Sequence, residues 1–353
     1  MVRRTSAHFP HGTLIDNLVP MFWSDFLYDK RSKGGFRFLK DNTGTNYALL
    51  PDGSADQNLI PIVSGIPRFI SEGTYAENFG LQWNEFRKTQ LDSYTNLPLS
   101  ENRLKGIIGD KFSLLKEWNI LEAGCGAGRF TEILSKNAKA IVAVDISGAI
   151  DVAKQNIEPS DKIFFLQADI LDLPLRRNFF DAVICIGVLQ HTPNTLQALR
   201  EICQCVKPGG WIFVDHYKRK FKNLYPPFGG FGNVFRLYVK SLDPIEALNL
   251  TKKWVSFFFP IHWRFKDRPT IQRILFRVSP VRFYYPWLGL KSKQDYYDWA
   301  LLDTFDGSSD QFKRRRTKRK LIEEIASLGM INIEVWEGGN GLEARFQKPQ
   351  EGN

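Results

Sequence analysis

Cysteine is scarce in this chain. Four stand among 353 residues, at Cys125, Cys185, Cys203 and Cys205, and none precedes Cys125. That distribution offers neither a disulfide framework nor a zinc set, and it predicts a reducing, cytoplasmic setting. Long apolar runs are missing too. No window approaches the roughly 20 apolar residues that cross a bilayer, and the opening MVRRTSAHFP lacks the apolar stretch of a secretory signal. Neither a transmembrane nor an exported class is expected, and there is no internal repeat or low-complexity tract. What remains is an ordinary globular composition, 43% hydrophobic and 24% charged. The length suffices for a substantial core, as two domains or one domain with large additions.

Acidic residues are thin in one stretch. The formal net charge is +10, and residues 217–300 carry 16 Lys and Arg against 5 Asp and Glu, which accounts for the whole excess. The same stretch holds 21 aromatics, in phrases such as KKWVSFFFPIHWRF and VRFYYPWLGL.

The most informative run is NILEAGCGAGRF, from Asn119 to Phe130. An apolar segment short enough for a strand meets Gly124, Gly126 and Gly128 and then opens into RFTEIL, a helical phrase. A strand, a turn without Cβ atoms and a helix start let a ligand lie against the backbone, with the helix N-terminal amides facing it. The glycines also fit a turn that needs only their φ angles. A second strand, AIVAVDIS, ends in Asp145, about twenty residues past the glycines, where nucleotide sites place a carboxylate for ribose hydroxyls. Asp145 alone could equally cap a helix starting near Ser147. Position 129, where a dinucleotide turn has its third glycine, is Arg129. Glu122 beside the turn would repel a pyrophosphate and attract an ammonium or sulfonium, so the expected ligand is cationic.

On these residues the chain resembles the class I S-adenosylmethionine-dependent methyltransferases, whose first motif is an acidic residue followed by GxGxG. The likeness extends through QADILDLPL, FDAVICIGVLQHT and VKPGG, covering roughly residues 100–217 and the C-terminal end. It implies an α/β fold: a doubly wound, seven-stranded Rossmann-like sheet with a small N-terminal β-rich module and a helical insertion. It also implies S-adenosyl-L-methionine as cofactor. Gly124, Gly126 and Gly128 would pass under the methionine part, Glu122 would help hold the amino group, and Asp145, beside Ile146, would take the ribose hydroxyls. Asp169, with the amide of Ile170, would meet the adenine edge, although a loop residue facing water is the plainer reading. The segment from Cys185 to Val188, Ile186 included, would line the remaining side, with Cys185 itself read as core.

Along the chain, residues 1–72 read as the small β-rich module, from alternating runs such as FRFLK and YALL. Its ending IPIVSGIPRFI resembles the close of Trm112-like or zinc-ribbon-like modules, but Val19, Pro20, Met21 and Phe22 stand where a zinc-binding cysteine pair would be sought. Residues 73–99 read as a linker, with Trp83 and Phe86 as lid or helix packing, the latter preferred. Ser100 with Glu101 marks a helix start. Residues 100–217 form the cofactor-binding core, 218–312 the basic aromatic cap, and 313–353 the last helix and strands. There Thr317 is the expected cap and Leu321, Ile322, Ile325 and Leu328 the apolar face.

His191, in the loop after the fourth strand, is the candidate base for an oxygen or nitrogen acceptor, since its pKa lies near physiological pH. With Thr192 and Pro193 behind it, the alternative is that it caps the next helix. Asp215, His216 and Tyr217 end the fifth strand, and alternation puts Asp215 and Tyr217 on one face. Tyr217 is the second candidate for substrate contact. The cap fits an anionic lipid surface, a nucleic-acid surface or a solvated cationic face, and the clump Phe257, Phe258 and Phe259 favours the membrane-proximal reading over RNA. The expected substrate is a small-molecule, glycan or lipid-linked acceptor, methylated at oxygen. An RNA methyltransferase and a non-catalytic scaffold are the rivals.

Overall fold

A computed structural model describes residues 13–14, 25–31, 33–40, 47–51, 59–70, 75, 77–219 and 230–350. Strands β1 (Thr13–Leu14), β2 (Phe36–Lys40), β3 (Tyr47–Pro51), β4 (Ile60–Val63) and β5 (Ile66–Pro67) form a small antiparallel sheet in chain order. Strands β6 (Asn119–Ala123), β7 (Ala140–Asp145), β8 (Ile163–Gln167), β9 (Phe180–Cys185), β10 (Val206–Tyr217), β11 (Ile331–Trp336) and β12 (Gly341–Gln347) form the main sheet. Its order is β11-β12-β10-β9-β6-β7-β8, and β12 runs against the rest.

The central strands are apolar throughout because helices cover both faces. Alternation divides them. Leu121, Val142 and Val183 pack on one side with Leu199 and Leu321, whereas Ile120, Ile141 and Ile184 pack on the other with Leu104, Leu134 and Ile150. Strand order reverses between β6 and β9, which leaves a crevice at their carboxyl ends, where open α/β sheets take ligands.

Helix caps sort the expectations. Thr317 caps helix Lys318–Ala326, its hydroxyl accepting from the Lys320 amide at 3.1 Å, and Leu321 and Ile325 are buried beneath. Helix Leu99–Ile108 is entered differently from the expected Ser100 start: Asp92 accepts from the amides of Ser100 and Glu101 at 2.8 and 2.9 Å. Asn194, not His191, caps helix Thr195–Cys205, accepting from the Gln197 amide at 3.1 Å.

The small sheet lies against the edge strand β8. Arg68 bridges to Gln167 and pairs with Asp151 at 2.5 Å, and the Phe26 and Phe164 rings are 5.6 Å apart. Val19, Pro20, Met21 and Phe22 lie outside the described residues.

After β10 the chain builds helices Phe231–Val239, Pro244–Arg264, Pro269–Val278 and Lys293–Ser309. They share an apolar core of their own, with Phe235, Phe259, Phe283 and Phe305 at its centre, and Phe86 of the linker is buried in it. Both ends of this insertion are fastened at one place. Lys218 bridges to Arg316, the Arg219 amide donates to the Arg316 carbonyl at 2.7 Å, and the Arg316 amide donates to the Tyr217 carbonyl at 2.9 Å.

Candidate active site

The crevice and the cap enclose a cavity of about 510 Å³, within the usual size range of cofactor and small-molecule sites. One end is the glycine turn. Gly124 and Gly126 have φ of 85° and 54°, which side-chain-bearing residues rarely adopt. A Cβ on Gly124 would collide with Val188 across the crevice, and one on Gly126 would stand 3.1 Å from Trp83 Nε1. Gly128 serves another purpose: a Cβ there would meet Ile157 and Ala153, so it lets two core segments approach and stands behind the cavity wall.

The turn's own amides are engaged inside the protein. Those of Gly124 and Cys125 donate to the Val144 carbonyl at 2.7 and 2.9 Å, that of Gly126 to Asp145 Oδ2 at 2.9 Å, and that of Gly128 to the Cys125 carbonyl at 3.0 Å. Four donors that could have held a phosphate are thus used within the protein. The turn presents Cα surface instead of an anion hole.

Asp145 lies on the wall, its Oδ1 accepting from the Ser147 amide and hydroxyl at 2.9 and 2.7 Å. Burial raises its pKa, and the bonds from Ser147 and Gly126 oppose the rise. Glu122 is 2% exposed. Its Oε2 accepts from the Thr131 hydroxyl at 2.7 Å, and its Oε1 has no partner. Burial pushes the carboxyl up to about 8 against the Thr131 bond, and Asp145 adds to the rise. Glu122 does not itself line the cavity; it lies buried at the end of β6, just before the turn, and once ionised its charge would favour a cation there.

Ile146, Ile170 and Ile186 supply apolar wall, with Gly187 and Val188. Asp169 lies behind the wall, its Oδ1 accepting from the Tyr75 hydroxyl at 3.0 Å and the Leu171 amide at 2.9 Å. Cys185 is core. Trp83 faces the cavity while Phe86 packs in the cap core, so the two linker aromatics divide the two roles between them.

The far end is made jointly by core and cap. His191 and Tyr217 both line it, their rings 5.4 Å apart and close to perpendicular. His191 Nδ1 is 2.9 Å from Asp310 Oδ2, and Asp310 is 1% exposed. Burial is the largest influence and would lower the imidazole pKa, but Asp310 and the charge of Asp306 together outweigh it and the net shift is upward. Asp215 has a supporting place: it pairs with Arg103, accepts from the Gly187 amide at 2.6 Å and from Asn340 at 3.0 Å, and so holds the loop after β9. His216 turns to the opposite face, where burial lowers it to about 4.

Several wall residues escaped the sequence reading. Arg129 stacks over Phe130, and its Nε donates to the Ser100 hydroxyl at 2.9 Å. From the cap come Arg282, Tyr284, Trp299, Asp303 and Asp306. Burial raises Asp303 to about 6 despite nearby Arg282. The legible signal was Asp303, Asp306 and Asp310, spaced to share one helix face within an otherwise basic segment.

Residues 121–214 match a family model described as a methyltransferase domain. The core of the chain thus carries a methyltransferase domain. The domain is similar to the ubiquinone biosynthesis O-methyltransferase of Coxiella burnetii, 33% identical over 128 residues, 36% of this chain and 55% of that protein. The Nitrosomonas europaea protein of the same name is 26% identical over 165 residues, 44% of this chain and 68% of its length. The chain thus spans between about half and two thirds of these curated relatives. A solved S-adenosylmethionine-dependent methyltransferase of Aquifex aeolicus is 14% identical, with 75% of this chain and 96% of that one covered at a TM-score of 0.40. The methyltransferase core fits its cofactor: the Cβ-free turn leaves a cradle, and the orphaned Glu122 oxygen suits the donor's ammonium.

Proposed function

We propose that this methyltransferase acts on a hydroxyl oxygen of a small-molecule acceptor, with His191 as the base. S-adenosyl-L-methionine, when bound, supplies an electrophilic methyl on a sulfonium and leaves as a neutral thioether. Gly124, Gly126, Asp145 and Glu122 would hold it at the core end of the cavity. The chain's remaining task is to align an acceptor oxygen with that methyl, exclude water and receive the proton.

His191 is the residue suited to the last step. The charge of Asp310 beside Nδ1 favours the tautomer with its proton on Nδ1, although the pair does not meet in hydrogen-bond geometry, and Nε2 would accept the hydroxyl proton. The new oxygen–methyl bond forms as the carbon–sulfur bond breaks, and the oxygen's proton passes to His191. Tyr217, beside the ring, would orient the acceptor. The His191–Asp310 pair on the cavity wall is the observation that carries this reading. Both relatives are named as O-methyltransferases, which supports an oxygen acceptor.

The test is transfer of labelled methyl from S-adenosyl-L-methionine to separated small-molecule, glycan, lipid and RNA fractions. Label should enter a small hydroxylated compound and, in His191→Gln, fall about a hundredfold with donor binding retained. Label entering RNA alone, or full transfer by His191→Gln, would overturn the proposal.

A further inference from the structure

Nine of the thirteen most exposed large apolar side chains among the described residues belong to the inserted cap. Five of them lie on two neighbouring helices of the cap. Val234, Leu237 and Tyr238 of helix Phe231–Val239 stand one turn apart and are between 50% and 60% exposed, while Phe235 and Val239 point into the cap core. Ile274 and Val278 of helix Pro269–Val278, 58% and 53% exposed, form the matching stripe above buried Leu275. The two helices touch, and a Cβ on Gly230, at the start of the first, would lie 3.0 Å from Arg277 in the last turn of the second. The two stripes are therefore carried on helices that pack against each other.

Cations edge these stripes. Arg273 and Arg277 lie along the Ile274–Val278 stripe, and Lys240 follows Tyr238 and Val239; all three are exposed. Neither helix contains an Asp or Glu.

We propose that the face these helices expose docks on an anionic membrane surface, the apolar stripes entering the interface and Lys240, Arg273 and Arg277 lying among lipid phosphates. Four of its five apolar groups are aliphatic, so they cannot stack on bases as a single-stranded nucleic-acid surface requires. A symmetric second copy would set the same cations against their own equivalents. An anionic bilayer offers hydrocarbon and negative charge at adjacent depths, which is the arrangement the face complements.

The experiment is co-sedimentation of the full chain with vesicles of phosphatidylcholine, with and without phosphatidylglycerol, over a salt series. Binding should require the anionic lipid and weaken as salt rises. Arg273→Gln with Arg277→Gln should weaken it at least tenfold, at about fivefold for each cation near the surface. Leu237→Ser with Ile274→Ser should weaken it comparably at low salt; both pairs are exposed, and unchanged circular dichroism and donor binding would confirm that fold and site persist. Equal binding to both vesicle types, or to neither, overturns the proposal. So does a dimer in light scattering that Leu237→Ser dissolves, or retention on RNA that the arginine variants abolish. Donor binding and transfer to a soluble acceptor are read separately, so failure here leaves the His191 proposal untouched.

Discussion

Glu122→Gln tests the cationic-donor reading through two opposite pH dependences. In the free protein the carboxyl is raised from its ordinary 4.5 to about 8, chiefly by burial, so the folded state holds a proton that the unfolded chain releases. Stability is then fullest below 4.5 and declines as pH rises toward 8, by an amount of order 4 kcal/mol on the linkage relation. Glutamine cannot ionise, and the free variant should be more stable than the parent at pH 8 and nearly equal to it at pH 5. Donor binding runs the other way. An ammonium beside Glu122 requires the carboxylate, so a proton must leave on binding at pH 7, and affinity should rise up to about tenfold per pH unit until about 8. Above that the donor's own amino group, with an ordinary pKa of about 7.7–8.0, loses its charge and affinity falls. Calorimetry in buffers of different ionisation enthalpy counts the released proton, and urea unfolding gives the stabilities. The glutamine variant should lose the rising limb and bind about 1.5–3 kcal/mol more weakly at pH 8. Wild-type affinity that stays flat from pH 6 to pH 8, with no proton released, would refute the assignment.

Asp145→Ala should weaken donor binding by about 1–3 kcal/mol if the ribose contacts exist, and an unchanged dissociation constant by calorimetry removes that role. For His191, whose pKa is held above 6.5 by Asp310, kcat/KM should rise with pH as the imidazole loses its proton. The stability contributed by the His191–Asp310 pair is present at low pH and lost through the same range. Asp310→Asn removes the largest upward influence on the imidazole and should move the inflection downward; an unmoved pH profile would separate Asp310 from the chemistry. Gly124→Ala should destabilise by about 2–5 kcal/mol, from roughly 1–2 for its φ of 85° and roughly 1–3 for displacing Val188. Adding Val188→Ala should restore the second part only, and strict additivity in urea unfolding would show that Val188 is no obstacle.

The main sheet was legible because its strands are buried on both faces, so ILEA, IVAV and VICI stand out as short apolar runs between helical phrases. Glu122, Gly124, Gly126 and Asp145 were findable for a related reason: they follow one another at the end of β6 and β7, where local spacing is also spatial proximity. His191 and Tyr217 of the far wall were findable too, but the share that comes from the cap was not. Asp310 meets His191 across 119 positions of chain, and such a pairing depends on how the cap folds back, which no local pattern records. The inward bonding of the turn's own amides was not legible, because three of them donate to β7, a neighbour whose register the glycines alone do not reveal. Alternation put Asp215 on the same face as Tyr217, but its role was not legible: three donors from separate segments converge on it and make it an anchor.

The fastening of Lys218 to Arg316 has a consequence for how acceptor choice could change. Entry and exit of the cap are neighbours on the rim of the core, and the cap carries its own hydrophobic centre. An exchange of everything between those two residues would swap Arg282, Tyr284, Trp299 and the three aspartates at once and leave the donor half of the cavity in place. Selectivity in such a scaffold is transplantable as a unit, and a graft from a relative with a different appetite could retool the enzyme in a single recombination.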